Sequence, residues 1–176
     1  MSTIKVNNIE NRTGSSITIG GSSTTSLNLA STITGGTLTM TPLFSVYRTS
    51  SGQSITTATL TKVQFNAENY DPSNTFDSST NYRFTPTTEG YYCLQSSLGY
   101  QGTITRVILL FYKNGSEYQR GADLNITGAT IISGTSTMYM NGSTDYAEVY
   151  AYATGSGITV VNQKETFFQG FKLIGA

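Results

Sequence analysis

Residues 106–115 read RVILLFYKNG, and the reading of this stretch decides the fold class. From Val107 to Tyr112 every side chain is apolar or aromatic, so both faces of the segment have to be covered. Asn114-Gly115 ends it with a turn signal, because both residues tolerate positive φ. Working outward, Asp145–Ala153 alternates: Ala147, Val149 and Ala151 share one face, while Tyr146, Tyr150 and Tyr152 share the other. Asn141-Gly142 precedes it as a second turn. Further strands are expected at Leu43–Thr49, Leu60–Phe65, Tyr91–Leu98, Ala129–Ile132, Thr137–Met140, Ile158–Val161 and Thr166–Ile174, with Thr105–Lys113 enclosing the apolar run. Short strands at such spacing, with no convincing helical periodicity, indicate an all-β sandwich or barrel.

A sandwich buries one face of each sheet, so a second apolar face calls for a partner. Self-association is the economical answer. The residues expected at that interface are Val107, Leu109, Leu110 and Phe111, together with Tyr146, Tyr150 and Tyr152.

Composition removes many functions. The 176 residues carry ten basic and ten acidic side chains, no His, no Trp and one Cys. Balanced charge leaves no basic stripe for phosphates, so no nucleic acid is expected as a partner. Without His there is no Ser-His-Asp triad and no His-ligated zinc. Cys93 lies in the apolar stretch GYYCLQ and reads as a buried, inert thiol. The opening residues lack the apolar core of a signal peptide, and the longest apolar run, Val107 to Tyr112, is far below the roughly 20 residues of a membrane span. Neither standard export nor membrane insertion is expected.

Residues 1–42 differ from the rest. They contain no aromatic residue, and their charges stop at Arg12. Apolar pairs recur at Ile17 and Ile19, Leu27 and Leu29, and Leu38 and Met40, separated by Gly- and Ser-rich breaks. Period two reads as short β-segments, and a flexible linker needs no regular apolar pairs. We therefore expect an extended docking arm over 1–42, contacting other chains through Ile4, Val6, Ile9, Ile17, Ile19, Leu27 and Leu29, and a globular head over 43–176.

Few groups suggest chemistry. Asp145 and Glu148 are three apart on a predicted strand, so they point to opposite faces and cannot flank one bond. No catalytic residue is assigned. The loop 66–80 holds Glu68, Asp71 and Asp77 among Asn and Ser oxygens, a donor set that suits calcium but lacks EF-hand spacing; no cofactor is expected, with calcium the one candidate. Tyr100, Tyr118 and Tyr139 lie in or beside predicted loops and are the candidates for stacking on a surface glycan.

The order of motifs is distinctive: LFSVYR at 43–48, VQFNAENYDPSNTF at 63–76, NYRFTPTTEGYYC at 81–93, RVILLFYKNG at 106–115, NGSTDYAEVYAY at 141–152 and TFFQGFKL at 166–173. This succession resembles the globular head of complement component one-q and its relatives. Phe84, Pro86, Gly90, Tyr91 and Tyr92 match the family's Phe-x-x-Pro…Gly-x-Tyr-Tyr stretch, Asn114-Gly115 its hairpin, and Phe168, Gly170 and Phe171 its closing strand. The resemblance implies a jelly roll of about ten strands, shared with tumour necrosis factor, assembled as a homotrimer around a threefold axis. The opening IKVNNIENRTGSSITIGG resembles the amino termini of small virion proteins and tail fibres of tailed phages, cyanobacterial ones above all. Together these imply a non-enzymatic virion protein, made in the host cytoplasm. It would be a short tail fibre or adhesin touching a host glycan or protein, or a capsid decoration protein. A secreted bacterial lectin of the same fold is the alternative.

Overall fold

The computed structural model describes residues 40–49, 51–161 and 165–174. The expected docking residues Ile4, Val6, Ile9, Ile17, Ile19, Leu27 and Leu29 lie outside them.

Among the described residues the regular structure is β: β1 (Leu43–Tyr47), β2 (Gln53–Ser54), β3 (Thr61–Lys62), β4 (Ala67–Tyr70), β5 (Phe76–Asp77), β6 (Arg83–Phe84), β7 (Glu89–Lys113), β8 (Ser116–Asn125), β9 (Thr130–Asn141), β10 (Ala147–Val160) and β11 (Phe167–Lys172). The long β7 organises them. Its first half pairs with β11 on one side and β9 on the other. Its second half pairs with β10 and β8. One strand thereby serves two sheets. Sheet I runs β4-β1-β11-β7-β9, and sheet II runs β8-β7-β10 with β2, β3 and β6 along the far edge of β10.

Gly102, at φ 128°, sits where β7 passes between sheets. A side chain there would meet the Gly157 carbonyl oxygen at 2.6 Å, so glycine is what lets β10 follow the bend. The register of β10 slips twice opposite it, after Thr154 and after Ser156. At the other side of the sandwich β8 and β9 converge on Gly121 and Gly134, where an added Cβ on Gly134 would lie 2.5 Å from the Gly121 Cα.

Between the sheets lies an aromatic-rich core. Phe44 stacks on Phe84 at 4.3 Å and meets Phe168 edge-on at 4.9 Å. Val107, Leu109 and Phe111 join it from β7, facing Ala147, Val149, Ala151 and Ala153 of β10. Each such fully buried large side chain contributes roughly 1.5–3 kcal/mol. These three β7 residues were expected at a chain–chain interface, and the register places them inside the sandwich instead.

Strand bounds depart from the sequence expectation in two directions: Leu60–Phe65 shortens to Thr61–Lys62, Leu43–Thr49 to β1 and Thr166–Ile174 to β11, whereas other segments join. Tyr91–Leu98 and Thr105–Lys113 fuse into β7, Ala129–Ile132 and Thr137–Met140 into β9, and Asp145–Ala153 and Ile158–Val161 into β10. Glycine punctuation reads as a break locally, but hydrogen bonds on both sides carry the ladder across it. Strand β8 has no counterpart in the sequence reading, because its mostly exposed SEYQRGADLN has no apolar alternation.

Candidate interaction surfaces

Strand register fixes what each sheet shows outward. On sheet I three rows cross β1, β11, β7 and β9: Leu43–Phe171–Cys93–Thr137, Ser45–Gln169–Gln95–Thr135 and Tyr47–Phe167–Ser97–Ser133. None of these twelve side chains is charged, and of them Ser45 and Ser97 are buried within the chain. Gln169 Nε2 donates to Gln95 Oε1 at 3.0 Å across the middle row. At one end Tyr91 and Tyr139 face each other across the strands, ring centroids 5.5 Å apart, and both remain close to half exposed. At another corner Met40, Leu43, Tyr70 and Phe171 line a shallow apolar hollow of about 230 Å³. Cys93, expected to be buried, is half-buried on this face.

Sheet II differs. Its outward row on β7 is Arg106, Ile108, Leu110 and Tyr112, opposite Thr154, Tyr152, Tyr150 and Glu148 of β10. Ile108 and Leu110 are only 5% and 1% exposed within the single chain. Tyr112 stacks on Tyr150 at 4.0 Å, and these aromatics roof the small apolar cluster with Tyr152. Charges surround it in matched pairs: Lys62 with the buried Glu148, Arg106 with Asp123, and Arg120 with Glu117 and Asp123. The two arginines hold the Asp123 carboxyl below the usual carboxylate range. Leu110, Tyr150 and Tyr152 were expected at an interface, yet their own chain already covers Leu110 and most of the cluster. Tyr146 lies just before β10, under the Arg83 guanidinium at 4.3 Å from its ring centre.

The carboxylates of the 66–80 loop are engaged locally. Asp71 accepts from the Thr75 amide and hydroxyl and from the Phe76 amide, at 2.6–3.0 Å. Asp77 accepts from the amides of Ser79, Thr80 and Asn81 and from the Asn81 side chain. Those donors, the Thr80 amide foremost, push its carboxyl well below the ordinary value. Glu68 accepts from the Ser78 hydroxyl at 2.8 Å. Asp71 and Asp77 thus cap local turns, and among the described residues no three His, Cys, Asp or Glu side chains converge to hold a metal. Asp145, likewise, is held by Lys113 at 2.8 Å and by Asn114 at 2.7 Å.

The three tyrosines proposed from sequence as glycan contacts separate. Tyr100 is 1% exposed in β7 and donates to the Ile108 carbonyl at 3.0 Å, so it is a core residue. Burial raises its phenol above the ordinary range. Tyr118 and Tyr139 are exposed, but on strands β8 and β9 rather than in loops. Tyr118 donates to the Thr137 carbonyl across the edge. What sequence reasoning missed is Arg106, Arg120 and Asp123, whose convergence depends on the register of the unpredicted β8.

No protein-family pattern and no curated protein matches the chain. Solved structures do. The globular domain of zebrafish complement 1qA is similar at TM-score 0.56 and 19% identity, over 75% of this chain and 96% of that one. Murine APRIL at pH 5.0 is similar at TM-score 0.58 and 12% identity, over 74% of this chain and 98% of that one. At such identities the likeness concerns the backbone. The described head therefore has the jelly-roll fold of the complement one-q globular domain and of the tumour-necrosis-factor-like proteins.

Proposed function

We propose that the chain is a non-enzymatic, homotrimeric structural protein of a phage particle, joined to its copies through the outer face of sheet I. The observation that carries the assembly is the uncharged sheet face along three rows of side chains, in which Ser45 and Ser97 are covered within the chain and the other ten are partly or fully exposed, flanked by the exposed Tyr91–Tyr139 pair. A face of aromatic, amide and hydroxyl groups with no charge to desolvate suits contact with an identical surface region. Sheet II, by contrast, roofs its apolar cluster within the chain and surrounds it with paired charges, as a surface facing solvent does.

Support for the particle comes from the opening segment, whose IKVNNIENRTGSSITIGG resembles phage virion proteins and tail fibres. The arm of residues 1–42 docks onto the virion, and the head is a short tail fibre or adhesin, or a capsid decoration protein. Repeated weak contacts from three arms give avidity without one strong contact. Light scattering on the full chain tests the assembly: three chains per particle in solution is the expected mass, and a monomer removes the reading. Deletion of residues 1–42 should abolish incorporation into virions, whereas normal incorporation rejects the docking arm.

A further inference from the structure

We propose that the outer face of sheet II carries a binding site for a single neutral sugar ring, between Leu60, Tyr152 and the Arg106–Arg120 rim. The hollow there measures about 230 Å³ and has Ile108 and Leu110 as its floor. It is smaller than the roughly 300–1,000 Å³ sites that take drug-sized ligands, so it offers room for one ring. Leu60, 45% exposed, and the partly exposed Tyr152 provide apolar walls. The C–H face of a pyranose suits such walls.

The rim decides the ligand's charge. Arg106 grips Asp123 through Nε and Nη2, at 2.8 and 2.7 Å. Arg120 donates Nε to Glu117 and Nη1 to Asp123, each at 2.9 Å. Two cations and two anions sum to zero, so the rim offers an acidic ligand no net attraction, and Asp123 and Glu117 repel it. Among the described residues Arg106 Nη1 and Arg120 Nη2 are left as donors, and Glu117 Oε2 as an acceptor. A neutral polyol both donates and accepts and meets this rim without displacing any pair. The guanidinium planes are already fixed by their carboxylates, so little side-chain freedom is lost on binding.

This site deepens the host-contact reading and takes its biological meaning from it, while its chemistry stands apart from assembly. Protein-observed NMR on the full chain, titrated with the methyl glycosides of glucose, galactose and mannose, tests it. At least one should shift the Leu60, Ile108 and Tyr152 signals saturably, in the millimolar range. Arg120→Ala and Leu60→Ala should each weaken that binding by about tenfold, given the usual worth of a charge-assisted hydrogen bond or a lost apolar wall. Ser156→Ala, exposed and outside the hollow, should leave it unchanged. No saturable shift with any of the three, equal binding by both hollow variants, or tighter binding of glucuronate than of the neutral glycosides overturns the proposal. The mass of Arg120→Ala, expected to match the parent chain, distinguishes failure of this site from failure of the trimer.

Discussion

Replacing Thr135 by Glu tests the assignment of sheet I most directly. Thr135 is exposed in the single chain and ends the middle row that runs through Gln95 and Gln169 to Ser45. In an isolated head the new carboxylate stays in water. The cost to folding is then within about 1 kcal/mol, the span of strand propensities. In a trimer closed over this face the carboxylate is buried among amides, hydroxyls and aromatic rings, and no cation stands in the three rows to pair with it. An unpaired buried charge costs at least about 3 kcal/mol. Three copies give about 9 kcal/mol, which at about 1.4 kcal/mol per decade is some six decades in the association constant. Light scattering across a dilution series should find Thr135→Glu monomeric where the parent is trimeric, with circular dichroism and melting temperature little changed. Ser156→Glu, exposed on β10 of sheet II, is the matched control and should remain trimeric. A folded Thr135→Glu that stays trimeric throughout the series refutes the assignment.

Leu110→Asp should unfold the head rather than dissociate it, losing about 3 kcal/mol or more, because Leu110 is 1% exposed within its own chain; a stable, folded monomer in urea titration contradicts that. Lys62→Met strands the buried Glu148 carboxylate and should cost about 3–5 kcal/mol. Adding Glu148→Met should restore most of the loss, and a double variant as unstable as the single one rejects the pairing argument. Burial pushes the Tyr92 phenol up to about 12, against about 10 in an unfolded chain. A raised folded value means that this contribution to stability is complete below pH ~10 and is lost as pH rises from there towards 12. Tyrosinate absorbance should therefore show Tyr92 un-ionised in the folded chain at pH ~10.5, and Tyr92→Phe should flatten the alkaline loss of stability.

The sequence carried the all-β class because its signals were local. RVILLFYKNG holds an apolar run and a turn within ten residues, and Asn114 and Gly115 do take positive φ. The alternation of Ala147, Val149 and Ala151 against Tyr150 and Tyr152 likewise survives as core face and outer face of β10. Motif order carried the jelly roll, since Phe84, Tyr92 and Phe168 all enter the core.

Tertiary structure decided which faces meet solvent. Val107–Tyr112 contains apolar residues at both parities, so the sequence distinguished neither the side facing the sandwich from the side roofed by tyrosines nor either from an interface. That difference arises from pairing β7 with both β8 and β10. The uncharged face is equally non-local. Leu43, Phe171, Cys93 and Thr137 are scattered along the chain and form one row only through antiparallel register. The Arg106–Asp123–Arg120 rim depends on β8, an exposed edge strand whose polar residues left no periodic trace. Periodicity records whether a side chain is covered, whereas register determines what covers it.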